Sequence, residues 1–161
     1  MTGNTYFKSM YDTCCEWQKV QSAHEATKED TIQKFGWDSD EVKAWYAREK
    51  EIKAEFPYSN GEMKAYWAYD RTETEEFELN DFCWEREVPD FIGTLRKAGI
   101  QSFVYTNQST AVMENIHGFI KEGCTLEGPC VLEKKSHRWG TEEVEQLLGL
   151  RFKVNRRRNE Q

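Results

Sequence analysis

The sequence predicts an α+β fold, with a helical N-terminal half and a small C-terminal βαβ sheet unit of two or three strands covered by helices. Before Gly99, apolar residues recur every three or four positions, which is the spacing of one helix face. From Ile100, short apolar runs flank one helical stretch, as expected for strands joined by a crossover helix. At 161 residues the chain is expected to form a single domain. Its expected parts are a helical part (1–99), a strand–helix–strand part (100–154) and a basic, disordered tail (155–161).

Four helices are predicted before Gly99. The first begins near Asn4 or Thr5 and runs for about 25–30 residues, with one apolar stripe in its first part and more polar later turns. Gly36 is expected to end this helix, since glycine suits a helix C-terminal cap. Asp38 is expected to cap the second helix, which stops before Pro57.

The third and fourth helices have their own start signals. Ser59 and Glu62 form a capping box that opens the third helix. Pro89 suits the first turn of the fourth helix, and Gly99 suits its end. Between these two helices the apolar spacing is lost, so we expect a loop with one or two short helical turns.

The remaining elements follow Gly99. Residues 100–105 predict a strand, 109–122 a helix, and 125–134 a second strand. Pro129 within the second strand indicates a sheet edge or a bulge. The first two strands are expected to be parallel neighbours. Residues 141–148 predict a final helix, followed by the short strand-like stretch LRFKV.

Acidic residues are concentrated in one stretch, Asp70–Asp90, which holds nine carboxylates and two arginines; we call it the acidic run. The formal net charge is −7, which argues against broad contact with a phosphate backbone, so no direct binding to nucleic acid is expected. The run is instead expected to meet a protein partner with a basic surface. Two alternatives stay open: a merely solvated surface, or pairing with the chain's own basic stretch Arg151–Arg158.

Aromatic side chains flank the acidic run, and aromatics beside charge are effective anchors at protein interfaces. The same rings could equally belong to the core. The residues expected to contact a partner are Glu73, Glu75, Glu76, Glu78, Asp81, Trp67 and Trp84.

The stretch FVYTNQST (103–110) places five polar residues between a predicted strand and a predicted helix. A strand's carboxyl end and a helix N-terminus can together hold an anion or a small ligand. The candidates for such a site are Asn107, Gln108, Ser109 and Thr110. In the simpler interpretation, Ser109 or Asn107 only caps the helix. The lip, Thr106–Thr110, supports the alternative function of a small enzyme or ligand-binding domain.

No catalytic residue, cofactor or metal site is predicted. The five cysteines are odd in number and lack metal-ligand spacing, so reduced thiols are expected. No run of 18 apolar residues occurs, so no membrane segment is expected. The N-terminus lacks the pattern of a secretory signal, and a cytoplasmic location is expected.

The segment SFVYTNQSTAVMENIHGFIKEGCTLEG, with the later LGLRF, resembles a small domain of unknown function in proteins of Firmicute integrative and conjugative elements. The core TNQSTAVMENIHGF carries the likeness, which is confined to the C-terminal part of the chain. The resemblance implies a setting, mobile DNA in a Gram-positive bacterium, and no activity or catalytic residue. Small acidic proteins in that setting often inhibit or regulate host machinery, so the expected function is control of a nucleic-acid-handling host protein, such as a CRISPR nuclease.

Overall fold

The computed structural model describes residues 3–81, 83–136, 140 and 142–157. It divides into two compact units: Met1–Phe7 with Ser59–Gln161, and Lys8–Tyr58. We call the first the sheet unit and the second the helical unit. Helices dominate the N-terminal half and a sheet lies in the C-terminal half, which confirms the predicted α+β class.

The helical unit consists of three helices, except that the first turn of α1 belongs to the sheet unit. They are α1 (Thr5–Glu25), α2 (Lys28–Phe35) and α3 (Asp40–Ala54). The single long first helix predicted from the sequence is therefore two helices. The break falls where Thr27 donates from Oγ1 to His24 O at 2.7 Å, a side-chain bond that competes with the helical ladder.

Ring contacts join the helices of the helical unit. Trp17 meets Phe56 edge-on, with 4.9 Å between ring centroids, and donates from Nε1 to Ile52 O at 2.8 Å. His24 stacks on Trp45 at 4.3 Å. Both pairs link α1 to α3 or to the residues just after it, so contacts between buried and half-buried rings hold these helices together.

The structure confirms one of the two helix N-caps predicted in the N-terminal half and moves the other by one residue. Ser59 Oγ accepts from Glu62 N, and Glu62 Oε1 accepts from Ser59 N at 3.0 Å, which confirms the predicted capping box. The cap of α3 is Ser39 rather than the predicted Asp38, because the Ser39 hydroxyl accepts from Val42 N.

The sheet unit contains three helices, one 3₁₀ turn and four strands among its described residues. They are α4 (Asn60–Arg71), β1 (Glu78–Leu79), a 3₁₀ turn (Glu85–Glu87), α5 (Val88–Lys97), β2 (Ser102–Tyr105), α6 (Val112–Lys121), β3 (Cys124–Ser136) and β4 (Glu143–Val154). The strand order is β1-β2-β4-β3. β1 runs parallel to β2, while β4 is antiparallel to both β2 and β3.

The sheet corrects the sequence prediction in three respects. It has four strands rather than two or three, and β1 lies inside the acidic run, where a loop was predicted. β2 and β3 are not parallel neighbours, because β4 lies between them. β4 also occupies most of the segment predicted as a final helix, 141–148, of which Thr141 lies outside the described residues.

Pairing explains why β4 is a strand. Its Glu, Gln and Leu residues favour helix locally, but it pairs with β3 from Glu143 to Val154 and so satisfies a long ladder of backbone groups. β3 is an edge strand of the described sheet, and its register shifts between Leu126 and Gly128. The presence of Pro129 predicted a sheet edge or a bulge, and the structure shows both features in β3.

Phenylalanine rings fill the core of the sheet unit. Phe103 on β2 lies 5.7 Å from Phe91, 5.1 Å from Phe119 and 5.3 Å from Phe152, measured between ring centroids. All four rings are fully buried. The contacts attach α5 and α6 to one face of the sheet, and this positions the strand ends described below.

No helix in the described part of the chain has both the length and the apolar character needed to cross a bilayer.

Candidate functional site

The carboxyl ends of β1 and β2 bring the two predicted sites together. Because these strands are parallel, they end at the same edge of the sheet. Thr106 N donates to Leu79 O at 3.0 Å, and Thr106 Oγ1 donates to Glu78 Oε1 at 2.9 Å. Asn107 Nδ2 donates to Asn80 O. The acidic run and the polar lip therefore form one structure, which we call the strand-end site (Glu78, Asn80, Thr106, Asn107).

Glu78 is buried, with 4% of its surface exposed, and its partners come from its own chain. Lys134 Nζ lies 3.5 Å from Glu78 Oε2, and the backbone N of Glu78 donates to Thr72 Oγ1 at 3.2 Å. A buried carboxylate requires such partners, because an unpaired charge inside a protein is costly. Glu78 therefore lies away from the surface on which the sequence placed partner-binding residues.

Two further members of the acidic run are paired within the chain. Arg151 Nη2 lies 2.8 Å from Glu76 Oε1, and both side chains are about one third exposed. Arg71 Nη1 lies 2.6 Å from Asp81 Oδ2. Of the open alternatives, pairing with the chain's own basic stretch therefore holds for Glu76.

The other predicted partner-binding residues face solvent. Glu73 and Glu75 are exposed, and neither forms an ion pair with a basic side chain of the described residues. Trp67 and Trp84 are 40% and 50% exposed, and the Arg86 guanidinium lies 5.4 Å from the Trp84 ring centroid. We call Glu73, Glu75, Trp67 and Trp84 the outward group.

The polar lip is largely occupied by internal bonds. Asn107 Oδ1 accepts from Ser109 N at 2.9 Å in an Asx turn that precedes α6. The N-cap of α6 is Ala111, which forms no side-chain cap hydrogen bond, so the prediction that Ser109 or Asn107 caps this helix is wrong. α6 begins at Val112, three residues after the predicted start. Gln108 and Thr110 are exposed and remain the accessible polar side chains of the lip.

A buried polar contact lies behind the lip. Asn115 is fully buried and donates from Nδ2 to Cys83 O at 2.6 Å and to Tyr105 Oη at 3.1 Å, while its Oδ1 has no partner among the described residues. Burial raises the pKa of Cys83 to about 12. Burial also raises the pKa of Tyr105, and the hydrogen bond with Asn115 partly opposes that rise. Both shifts disfavour the thiolate and phenolate forms that nucleophilic or general base catalysis requires.

Sequence reasoning missed two side chains that complete these contacts, Lys134 and Asn115, whereas Arg151 belongs to the basic stretch named above as a possible pairing partner. A signal existed for Asn115, because it lies three residues after Val112 and four before Phe119, on the apolar stripe of α6. Lys134 carries no comparable signal, since its pairing with Glu78 depends on where β3 lies in the sheet.

All five cysteines are free in the structure. Across the described ranges, no group of three or more His, Cys, Asp or Glu side chains is arranged to hold a metal ion. His137 lies outside those ranges.

Residues 62–154 match a family described as a domain of unknown function, DUF7698. The match begins in α4 and ends with the last residue of β4, so it includes the whole described sheet and the strand-end site. No curated protein and no solved structure matches the chain. The match confirms the general part of the resemblance stated above, a domain of unknown function, over more than half of the chain. This chain therefore belongs to the DUF7698 family of domains of unknown function.

Proposed function

We propose that this chain is an acidic interaction protein that binds a protein partner through the outward group. The observation that carries the proposal is the division of the acidic run. Glu76, Glu78 and Asp81 are paired within the chain. Glu73 and Glu75 are exposed and have no basic partner among the described residues.

Unpaired carboxylates attract a basic surface over roughly a Debye length, about 8–10 Å at physiological salt. Such attraction raises the rate of encounter more than it raises final affinity. Affinity then depends on groups that become buried on binding, and partly exposed tryptophans are the residue type that most often provides it. Trp67 and Trp84 supply such rings.

The proposed partner is a host protein that handles nucleic acid, because such proteins carry basic surfaces for phosphate groups. The resemblance to proteins of Firmicute mobile elements supports a bacterial, cytoplasmic setting and an inhibitory or regulatory role, for example toward a CRISPR nuclease. Direct binding of nucleic acid by the outward group is not part of the proposal, because its carboxylates would repel phosphates.

Comparative affinity capture from a bacterial lysate tests the proposal. The bait proteins are the wild-type chain, Glu73→Gln/Glu75→Gln, and the control Glu143→Gln/Glu145→Gln. The control removes two exposed carboxylates at the same spacing, on β4. At about 50 mM salt, where screening is weak, the wild type and the control are expected to retain a basic protein that the first variant loses. Equal retention by all three baits, or none above background, would overturn the proposal.

A second candidate function is a small enzyme or ligand-binding domain that uses the Thr106–Thr110 lip. The unpartnered Oδ1 of buried Asn115 behind the lip favours it. It ranks second because Thr106 and Asn107 are committed to internal hydrogen bonds.

A further inference from the structure

A group of basic residues lies at the amino end of β2, at the opposite edge of the sheet from the strand-end site. Two neighbouring cavities of about 260 and 550 Å³ open there, and Arg96, Asn155 and Arg156 line both of them. Their walls come from the C-terminal ends of α5, α6 and β4. We call the two cavities together the basic groove.

Arg96 is held in place by backbone carbonyls. Its Nε donates to Asn155 O at 2.9 Å, and its Nη2 donates to Glu122 O. Its Nη1 is buried and has no partner among the described residues. A buried donor without an acceptor is unfavourable, so the guanidinium is held in place while its Nη1 still lacks an acceptor.

The charge of the groove is strongly positive. Lys121, Arg156 and Arg157 join Arg96 in its walls, and the carboxylate among them belongs to Glu122. Arg157 Nη2 lies 3.2 Å from Glu122 Oε2, so that carboxylate is already paired. Four cations and one carboxylate give the groove a formal charge of +3, in a chain whose formal net charge is −7.

A third cavity, of about 450 Å³, also reaches Arg96 but includes Glu62 and Asp90 in its lining. These carboxylates would repel an anion there. The electrostatics therefore favour the side of Arg96 that faces α6 and the end of β4.

We infer that the basic groove binds a small phosphate-bearing molecule. Guanidinium and ammonium groups form short, charge-assisted hydrogen bonds with phosphate oxygens, and a phosphate dianion matches several cations better than a single carboxylate does. The larger cavity has the volume of a small-molecule site, about 300–1,000 Å³. This ligand chemistry is opposite in charge to the basic protein surface proposed for the outward group, and it uses none of the same residues.

Thermal unfolding and calorimetry of the full chain test the inference. Inorganic phosphate and adenosine 5′-monophosphate are each titrated against sodium chloride of matched ionic strength. A ligand that binds only the folded chain raises Tm in a saturable way. The key variant is Lys121→Gln/Arg156→Gln, which leaves Arg96 and its carbonyl contacts intact. The control is Lys153→Gln, an exposed position on β4 outside both cavities.

The expected result is a saturable rise in Tm with phosphate or the nucleotide, kept by Lys153→Gln and weakened at least about tenfold in affinity by Lys121→Gln/Arg156→Gln. Binding of phosphate alone would identify the free ion as the source of the phosphate group. Binding of the nucleotide as well would identify a phosphorylated metabolite.

Three outcomes would overturn the inference. Neither compound gives a saturable effect; Lys153→Gln weakens binding as much as the groove variant does; or a short single-stranded oligonucleotide binds in the groove while both small compounds fail.

Discussion

Thr106 donates a hydrogen bond from its hydroxyl to the Glu78 carboxylate at 2.9 Å, and both side chains are buried. Lys134 Nζ lies 3.5 Å from the same carboxylate. A residue from the middle of the acidic run thus belongs to the interior of the sheet unit. Glu78 thus differs from Glu73 and Glu75, which are exposed and have no basic partner among the described residues.

Removing the buried carboxylate of Glu78 should lower the free energy of unfolding, whereas removing the exposed carboxylate of Glu75 should leave it nearly unchanged. Glu78→Ala leaves Lys134 and Thr106 without their acceptor, and a loss of about 2–4 kcal/mol in the free energy of unfolding is expected. Lys134 is 27% exposed and can partly reach water, so the lower end of that range is expected. Glu75→Ala, at an exposed position, should stay within about 0.5 kcal/mol of wild type. Urea unfolding measures both, and equal midpoints for the two variants would contradict the burial of Glu78.

Two helix glycines should respond oppositely to alanine. A Cβ added at Gly61 in α4 would lie 2.4 Å from Glu87 O and 2.8 Å from Asp90 Cβ, so Gly61→Ala must push α4 away from the start of α5. Such overpacking costs about 1–3 kcal/mol. A Cβ at Gly93 in α5 meets nothing within 4 Å, so Gly93→Ala should stabilise the chain by up to about 1 kcal/mol. Thermal unfolding of both variants checks the pair, and a stabilising Gly61→Ala would show that the α4–α5 contact is wrong.

The buried thiols should make stability fall in alkali. Burial raises the pKa of Cys83 from 9.0 to about 12, and that of Cys124 from 9.0 to about 11. The unfolded chain therefore loses these protons first, so stability is intact below pH 9 and falls as the pH rises from 9 toward 12. Cys83→Ala should show a smaller drop in Tm than wild type between about pH 8 and pH 10.5. Parallel declines in the two proteins would argue against the buried, protonated state of Cys83.

The tryptophans of the outward group should control how long a complex lasts. Trp67→Ala is expected to weaken binding to the captured partner by about 2 kcal/mol, or roughly 30-fold, mainly through faster dissociation. Trp37→Ala is the matched control, because Trp37 is also exposed, at 67%, but lies outside the sheet unit. Surface plasmon resonance measures both dissociation rates. A similar change in both would remove Trp67 from the proposed interface.

Local signals in the sequence predicted much of the helical architecture. Ser59 and Glu62 specify a helix start by their own hydrogen bonds, and that start was predicted correctly. β4 was predicted as a helix because its residues favour helix locally, while the pairing with β3 that makes it a strand is a tertiary effect. β1 has only two residues, Glu78 and Leu79, both buried, so it shows no alternation that could reveal a strand.

The candidate site also combines features that residue type reveals with features that depend on tertiary pairing. The acidic run and the polar lip were identified from residue type, but their meeting at one sheet edge depends on the parallel pairing of β1 with β2. The division of the run into paired and exposed carboxylates depends on Lys134 and Arg151, which approach from strands far along the chain. No sequence pattern encodes those distances.

The association rate with the captured partner tests the central claim most directly. Stopped-flow mixing compares wild type, Glu73→Gln/Glu75→Gln and the control Glu143→Gln/Glu145→Gln at about 50 and 300 mM salt. If the outward carboxylates guide the encounter, the first variant should associate about tenfold more slowly at low salt and show a flatter salt dependence, while the control behaves as wild type. Identical rate constants and salt dependences for all three proteins would contradict the claim that Glu73 and Glu75 form the partner-binding surface.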